Sequence, residues 1–443
     1  MRSRGREADL PSEWSTTGPA KVITVDVEGP FPDIRIDGRY REAWVVLRRQ
    51  GVPRAMVVVD LVDDGAAALQ ARLRERMSEL LGAPDDSPSL AIPDERLPRI
   101  SIVIPTIVSR VEDLVRCLIA IEQLEYPDFE VLLVDNRPVR PASDPLVQIA
   151  GDRPWLDVIW EPVRGISAAR NAGIARATGD VVAFTDDDVV VDSNWLRTIG
   201  ARFAASPLVD AVTGLILPAE LESPAQIWFE RYYGGFGGER SYDSLTLESD
   251  RRGGLRGASR VLVRNSHGAV IERIFFFGVG GYGAGANMAF RKSSLSRIGE
   301  FDLALGTGTP SRGGEDLAAM IAILWTGGQI CYEPASVVYH RHRTEYSELL
   351  KQMHGFGLGF TAMLTSFAQS DVQHFMTLAS LIPRAMTKVL AKGADTVRDK
   401  QPESAPDEVS LPFYPAALSR YEHRAYLSGP FAYLRSRFAS RNE

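Results

Sequence analysis

The sequence predicts an α/β fold: a Rossmann-like sheet with helices on both faces. Three observations carry this reading. From residue 99 onward, unbroken apolar runs ("RISIVIP", "FEVLLVD", "WLDVIWE", "DVVAFTD") alternate with segments of helical spacing ("VEDLVRCLIAIEQL", "ISAARNAGIARATG"). Strands that are apolar on both faces belong to parallel sheets covered by helices. The runs end on polar residues, Pro105-Thr106, Asp135-Asn136 and the triplet Asp186, Asp187, Asp188. Ligands of such sheets bind beyond the carboxyl ends of the strands, so these groups are expected on one rim.

The elements before residue 99 read differently. "AKVITVDVEG" alternates, and "EAWVVLRRQGVPRAMVVVDL" is two Val-rich runs around a Gly/Pro turn, a hairpin signal. "GAAALQARLRERMSELLGA" has helical spacing, with Leu69, Leu73, Met77 and Leu80 on one face. Pro84, Pro88, Pro93 and Pro98 then mark a linker. The expected division is a small α+β accessory domain with its linker over 1–97, the Rossmann-like catalytic domain over 98–345 and a helical extension over 346–443. That extension contains "YSELLKQMHGFGLGFTAMLTSFAQ" and "HFMTLASLIPRAMTKVLAKG", the second with Arg384, Lys388 and Lys392 on a basic side. "VRDKQPESAPDEVS" reads as a polar loop.

Composition narrows the function. With 443 residues, 45% hydrophobic and 24% charged, the chain has the make-up of a globular protein of two or three domains. A net charge of −7 argues against nucleic acid as a partner. "MRSRGREADLPSEW" lacks the apolar stretch of a signal peptide, and no run reaches the ~20 apolar residues of a spanning helix. The expectation is a cytoplasmic protein that touches a membrane, if at all, from its inner face through the C-terminal helices. Cys117 and Cys331 lie in apolar surroundings and read as buried thiols.

Three clusters carry chemistry. Adjacent carboxylates at a strand end suit a divalent cation, since Mg²⁺ and Mn²⁺ take oxygen ligands; a solvated turn capping the next helix is the alternative. A calcium loop is excluded because glycine and glutamate are missing from its sixth and twelfth positions. Glu315 and Asp316 follow two glycines in "GGEDLAAMIAILWTGG" and read either as helix capping or as a general base on a turn. His340 and His342 share a face after a strand-like run, structural or completing a metal site. "GVGGYG" matches a dinucleotide pattern, but the extended "AGANMAF" follows where a helix should open. Neither a P-loop nor a nucleophile elbow is present.

The stretches "SIVIPT", "YPDFEVLLVDN", "GISAARNAGIARATGDVVAFTDDDVV", "GAGANMAFRKSSLSRIGEFD", "GGEDLAAMI" and "YEPASVVYHRHR" resemble, in order, the family-2 glycosyltransferases with the A-type glycosyltransferase fold. The resemblance implies an inverting transfer of a sugar from a nucleoside diphosphate sugar, a uridine one by default, to an acceptor hydroxyl. It implies Mn²⁺ or Mg²⁺ at Asp188 and Asp186, with His340 as a further ligand. Pro105, Thr106, Asp135, Arg170, Asp186 and Asp187 fall on nucleotide-sugar positions. Asp316 falls on the catalytic base and Glu315 on its neighbour. Ile107-Val108 and Asn136 depart from the common pattern. The insert from 218 to 285 mixes aromatics and glycines, and Trp228, Tyr232 and Tyr233 are acceptor candidates. Two rival readings are a nucleotidyltransferase that makes nucleotide sugars and a non-catalytic carbohydrate-binding scaffold. The first wants a basic glycine-rich loop that "IPTIVSRVED" does not supply; the second is disfavoured by the presence of both acidic clusters.

Overall fold

The computed structural model describes residues 17–31, 36–61, 65–82, 92–236, 240–250, 260–380 and 416–439. An N-terminal sheet is built from β1 (Ala20–Asp26), β2 (Glu42–Arg49) and β3 (Val52–Asp60), with β2 and β3 forming the expected hairpin around Gln50-Gly51. β1 joins β2 in parallel. Helix α1 (Gly65–Gly82) lays Leu69, Leu73 and Met77 on one face of this sheet, with Leu80 at the edge of the same cluster. The opposite face is not free. Trp44 packs with Leu221 and Ile227, and Arg48 Nη1 reaches Asp192 Oδ2 at 3.0 Å, so the small sheet rests on the large one.

The large sheet holds eleven strands. Its parallel half runs β6 (Leu156–Trp160), β5 (Phe129–Asp135), β4 (Ile100–Thr106), β7 (Val181–Phe184). Alternation along each strand feeds two cores. Ile102, Val131, Leu133 and Ala183 point to the side of α2 (Val111–Glu122) and α5 (Trp195–Ala205). Val103, Leu132, Val134 and Phe184 point to the side of α4 (Ile166–Arg176) and α8 (Glu315–Trp325). Full burial of each large apolar side chain contributes roughly 1.5–3 kcal/mol, which accounts for the unbroken apolar runs.

The sheet is mixed rather than wholly parallel. Beyond β7 come antiparallel β13 (Met288–Arg291), then β9 (Val209–Pro218) and β14 (Gln329–His340) parallel to each other. The edge is an antiparallel extension of β10 (Leu245–Ser249), β11 (Arg260–Arg264) and β12 (Val270–Phe275). Among the described residues the short β8 (Val189–Val191) pairs only with β14. Further helices among the described residues are α3 (Pro145–Gly151), α6 (Pro224–Trp228), α7 (Lys292–Ile298), α9 (Tyr346–Ser370) and α10 (Ala416–Ala439). α9 and α10 run side by side, the Gly357 backbone against Glu422 and the Leu358 carbonyl against Gly429. The "GVGGYG" stretch leads through a 3₁₀ turn to β13, not to a helix. No helix among the described residues is long and apolar enough to cross a membrane. The basic side at Arg384, Lys388 and Lys392, the loop over 397–410, Pro84 and Pro88 lie outside the described residues.

Candidate active site

Strand pairing assembles the acidic rim. β7 ends at Phe184, the chain turns through Asp186, Asp187 and Asp188, and β8 then pairs antiparallel with β14. In that register Val189 stands opposite His340, so the pairing itself delivers the imidazole to the carboxylates. Ligand atoms of Asp186, Asp188 and His340 lie within 4.8 Å of one another. His340 Nε2 is 3.4 Å from Asp188 Oδ1 and 3.9 Å from Asp186 Oδ2. Its Nδ1 lies 3.1 Å from the Arg341 carbonyl oxygen, which can only accept, so Nδ1 carries the proton. Nε2 is therefore the ring nitrogen that faces the two carboxylates. Such an arrangement suits a cation between them, with the backbone contact orienting the ring from behind.

The three aspartates have separate surroundings. Burial pushes the Asp186 carboxyl up, partly countered by Arg170. Burial and the charge of Asp188 push Asp187 up to about 6. Asp187 turns toward β4, where Thr106 Oγ1 donates to it at 2.6 Å and accepts from the Val108 amide at 2.9 Å. For Asp188, burial raises the carboxyl, but His340, Arg110 and Arg343 outweigh it and hold it low. Arg110 Nη2 contacts Asp188 Oδ2 directly. Val108, a β-branched residue, sits at φ 55°, a strained turn that aims the Thr106 hydroxyl at the triplet.

Arg170 links the two acidic clusters. It is 1% exposed, donates from Nη1 to Glu315 Oε1 at 2.7 Å, and sets Nη2 3.7 Å from Asp186 Oδ1. Burial and the adjacent Asp316 raise Glu315 to about 7 despite Arg170. Asp316 is held by amides: its Oδ2 accepts from Gly285 N and its Oδ1 from Leu317 N, each at 2.8 Å. Its charge acts on Asp186. Gly314, at φ 90°, lets this turn approach α9 closely; a Cβ there would stand 2.6 Å from the Gly359 carbonyl oxygen.

A cleft of about 1320 Å³ opens over the rim. Pro105, Thr106 and the aspartate triplet form part of its wall, together with Asn136, His340 and Phe236. Asp316 is not one of the residues lining it, although its charge is felt by Asp186. Three expected site residues, Asp135, Trp228 and Tyr233, are engaged elsewhere. Asp135 is fully buried and spends its carboxylate on Arg137 Nε at 2.7 Å and Arg140 Nε at 2.8 Å; Asn136 and Arg137 face the cleft instead. Trp228 is no acceptor contact as placed. It is fully buried, edge-on to Tyr346 in an apolar cluster that fixes α6 against α9. Tyr233 stacks on Phe229 and Phe356 and serves the same cluster. The side chain of Tyr232 lies outside the described ones.

Phe236 does reach the site, stacked on His340 with centroids 4.4 Å apart. Behind it His342 bonds Glu230, which also accepts from Arg240 Nη2 at 2.6 Å. Burial alone would raise the Glu230 carboxyl, but Arg240 and His342 bring it down to about 2. Spacing in the sequence does not reveal Phe236, Glu230, Arg110 or Arg343, because separate elements bring them to the rim.

Residues 101–298 match the family described as Glycosyl transferase family 2. The likeness to that family is thus carried by a stretch of somewhat less than half the chain. It is 27% identical over 229 residues to the pre-mycofactocin glycosyltransferase of Mycobacterium tuberculosis, a match covering 51% of this chain and 40% of that protein. It is 26% identical over 196 residues to the glucosyl-dolichyl phosphate glucuronosyltransferase of Haloferax volcanii, covering 42% of this chain and 52% of that protein. The matches thus span about half, or less, of these relatives' length. Among solved structures, the mannosyltransferase PcManGT from Pyrobaculum calidifontis, in complex with GDP-Man and Mn²⁺, aligns with TM-score 0.46 and 17% identity over 82% of this chain and 96% of that one. The matched stretch contains the aspartate triplet, whereas Glu315, Asp316 and His340 lie beyond residue 298 and join it through α8 and β14.

Proposed function

We propose that the chain is an inverting, metal-dependent glycosyltransferase that moves a sugar from a nucleoside diphosphate sugar to an acceptor hydroxyl, with Asp316 as general base. The observation that carries this reading is the meeting of Asp186, Asp188 and His340 at the strand rim of a chain similar to family 2 over residues 101–298. Those three residues would hold Mn²⁺ or Mg²⁺, which when bound supplies Lewis-acid stabilisation of a departing diphosphate. The donor is a uridine diphosphate sugar by default; the named relatives act on different acceptors, and that choice is left to experiment.

The protein's own groups divide the remaining work. Arg110 and Arg343 place positive charge beside Asp188, where diphosphate oxygens would gather. Arg170 fixes Glu315 and faces Asp186, setting the acidic turn against the rim. Glu315 is occupied by Arg170 and buried, so it positions its neighbour. The two amides that bond Asp316 fix its carboxylate and leave each oxygen a further lone pair. One of these takes the acceptor proton as the hydroxyl oxygen attacks the anomeric carbon from the face opposite the leaving group. A single displacement with a single base inverts the configuration, by the logic of inverting sugar hydrolysis.

The test is Asp316→Asn. Turnover should fall by about 10²–10⁴-fold, the usual share of a positioned base, with Mn²⁺ affinity kept. Unchanged turnover removes Asp316 from the mechanism.

A further inference from the structure

The cleft carries more positive charge than a metal-bound diphosphate needs. Eight arginine and lysine side chains line it; Arg110, Arg137 and Arg341 are paired with carboxylates, whereas Arg312 and Lys351 are in no ion pair among the described residues. Part of that charge lies far from the expected nucleotide end. The nucleotide end is set by β4 and β5, on one side of β7; α9 follows β14, on the other side of β7 in the sheet. On α9, Glu348, Lys351, Gln352 and Gly355 share one face by their spacing, and all four line the cleft.

Arg312 meets that face. Its carbonyl oxygen and Cβ lie 3.7 and 3.8 Å from where a Gly355 Cβ would stand, one turn beyond Lys351. His354 Nδ1 and Gln352 Oε1, from the same wall, are buried without a hydrogen-bond partner. Arg312 is also held at φ 60°, a conformation glycine would adopt without strain, beside Gly313 and Gly314. A strained arginine, a free lysine and the unsatisfied His354 Nδ1 in one cleft wall are suited to a ligand with fixed charge, while Gln352 Oε1, which only accepts, calls for a hydroxyl on the same ligand. Arg312 stands four residues before Asp316, on the same turn.

We propose that Arg312 and Lys351 form an anion subsite at the α9 wall, and that the acceptor therefore carries a phosphate or carboxylate group besides its reacting hydroxyl. This deepens the glycosyl-transfer reading and rests on it for the word acceptor; the subsite itself is tested without turnover. An arginine presents a planar fork to such oxyanions and the lysine a mobile point charge, so the pair holds either group while the hydroxyl is turned toward Asp316.

The experiment is calorimetric titration of the full chain with inorganic phosphate at fixed ionic strength. Saturable binding is expected in the unaltered chain and in Asp188→Asn, which removes a cation ligand and the partner of Arg110 but leaves the α9 wall intact. Arg312→Gln combined with Lys351→Gln should weaken it at least tenfold. Lys351→Gln alone, at an exposed helix position, should give a smaller loss, and Arg312→Lys should keep most of the affinity. Competition by acetate would mark a carboxylate-accepting subsite, and its failure a phosphate-selective one. Equal displacement by chloride, equal loss in Asp188→Asn, or no saturable phosphate binding by a chain that still binds Mn²⁺ would overturn the subsite while leaving the cation site standing.

Discussion

Replacing Glu230 by glutamine should destabilise the protein by about 3 kcal/mol at neutral pH, and the size follows from two independent routes. Glu230 is 3% exposed and is shared between Arg240 and His342. Its carboxyl is brought from 4.5 to about 2, so the folded state favours the ionised form by roughly 2.5 pH units, or about 3 kcal/mol. Breaking a buried ion pair from one side costs roughly 3–5 kcal/mol, because the other charge is left without a partner; here that charge is Arg240. The sign with pH is fixed as well. A depressed carboxyl contributes its full stability above the unfolded value of 4.5 and loses it as pH falls through about 2. Urea unfolding of Glu230→Gln and the unaltered chain at pH 7 and pH 3.5 is the assay. The gap should be about 3 kcal/mol at pH 7 and close by about 1 kcal/mol at pH 3.5. A gap below about 1 kcal/mol at pH 7, or one that does not narrow in acid, refutes the reasoning.

Two further outcomes follow from the same geometry. Arg110→Gln removes the cation that competes for Asp188, so Mn²⁺ should bind severalfold more tightly by titration while the Michaelis constant for the sugar donor rises. Gly314→Ala introduces a Cβ 2.6 Å from the Gly359 carbonyl at φ 90°; melting temperature should drop and turnover fall with it, since Asp316 begins on that turn.

The parallel half of the sheet and the rim were legible because both depend on local pattern. Apolar runs such as "FEVLLVD" had to be buried on both faces, and the polar residues ending them had to share an edge. The antiparallel half was not, because β13 is four residues long and its place between β7 and β9 is set by distant partners. Within the site, the company of Asp188 and His340 could be suspected from residue type, but their meeting depends on the β8–β14 register. Asp135 shows the limit of reading a strand end. Alternation brought it to the rim, while Arg137 and Arg140, two and five residues later, closed over it. Trp228 shows another limit: an aromatic beside glycines looked like a sugar platform, yet its ring is a core residue. Phe236 lies only eight residues further on and is the ring that touches His340.

The most direct test is to titrate Mn²⁺ against the unaltered chain, Asp188→Asn and His340→Ala, following the free-ion signal by electron paramagnetic resonance. One site is expected in the unaltered chain, weakened more than about 100-fold by either change, since even outer partners of a metal ligand cost 10–100-fold. Equal affinity in all three proteins would contradict the assignment of Asp186, Asp188 and His340 as the cation's seat.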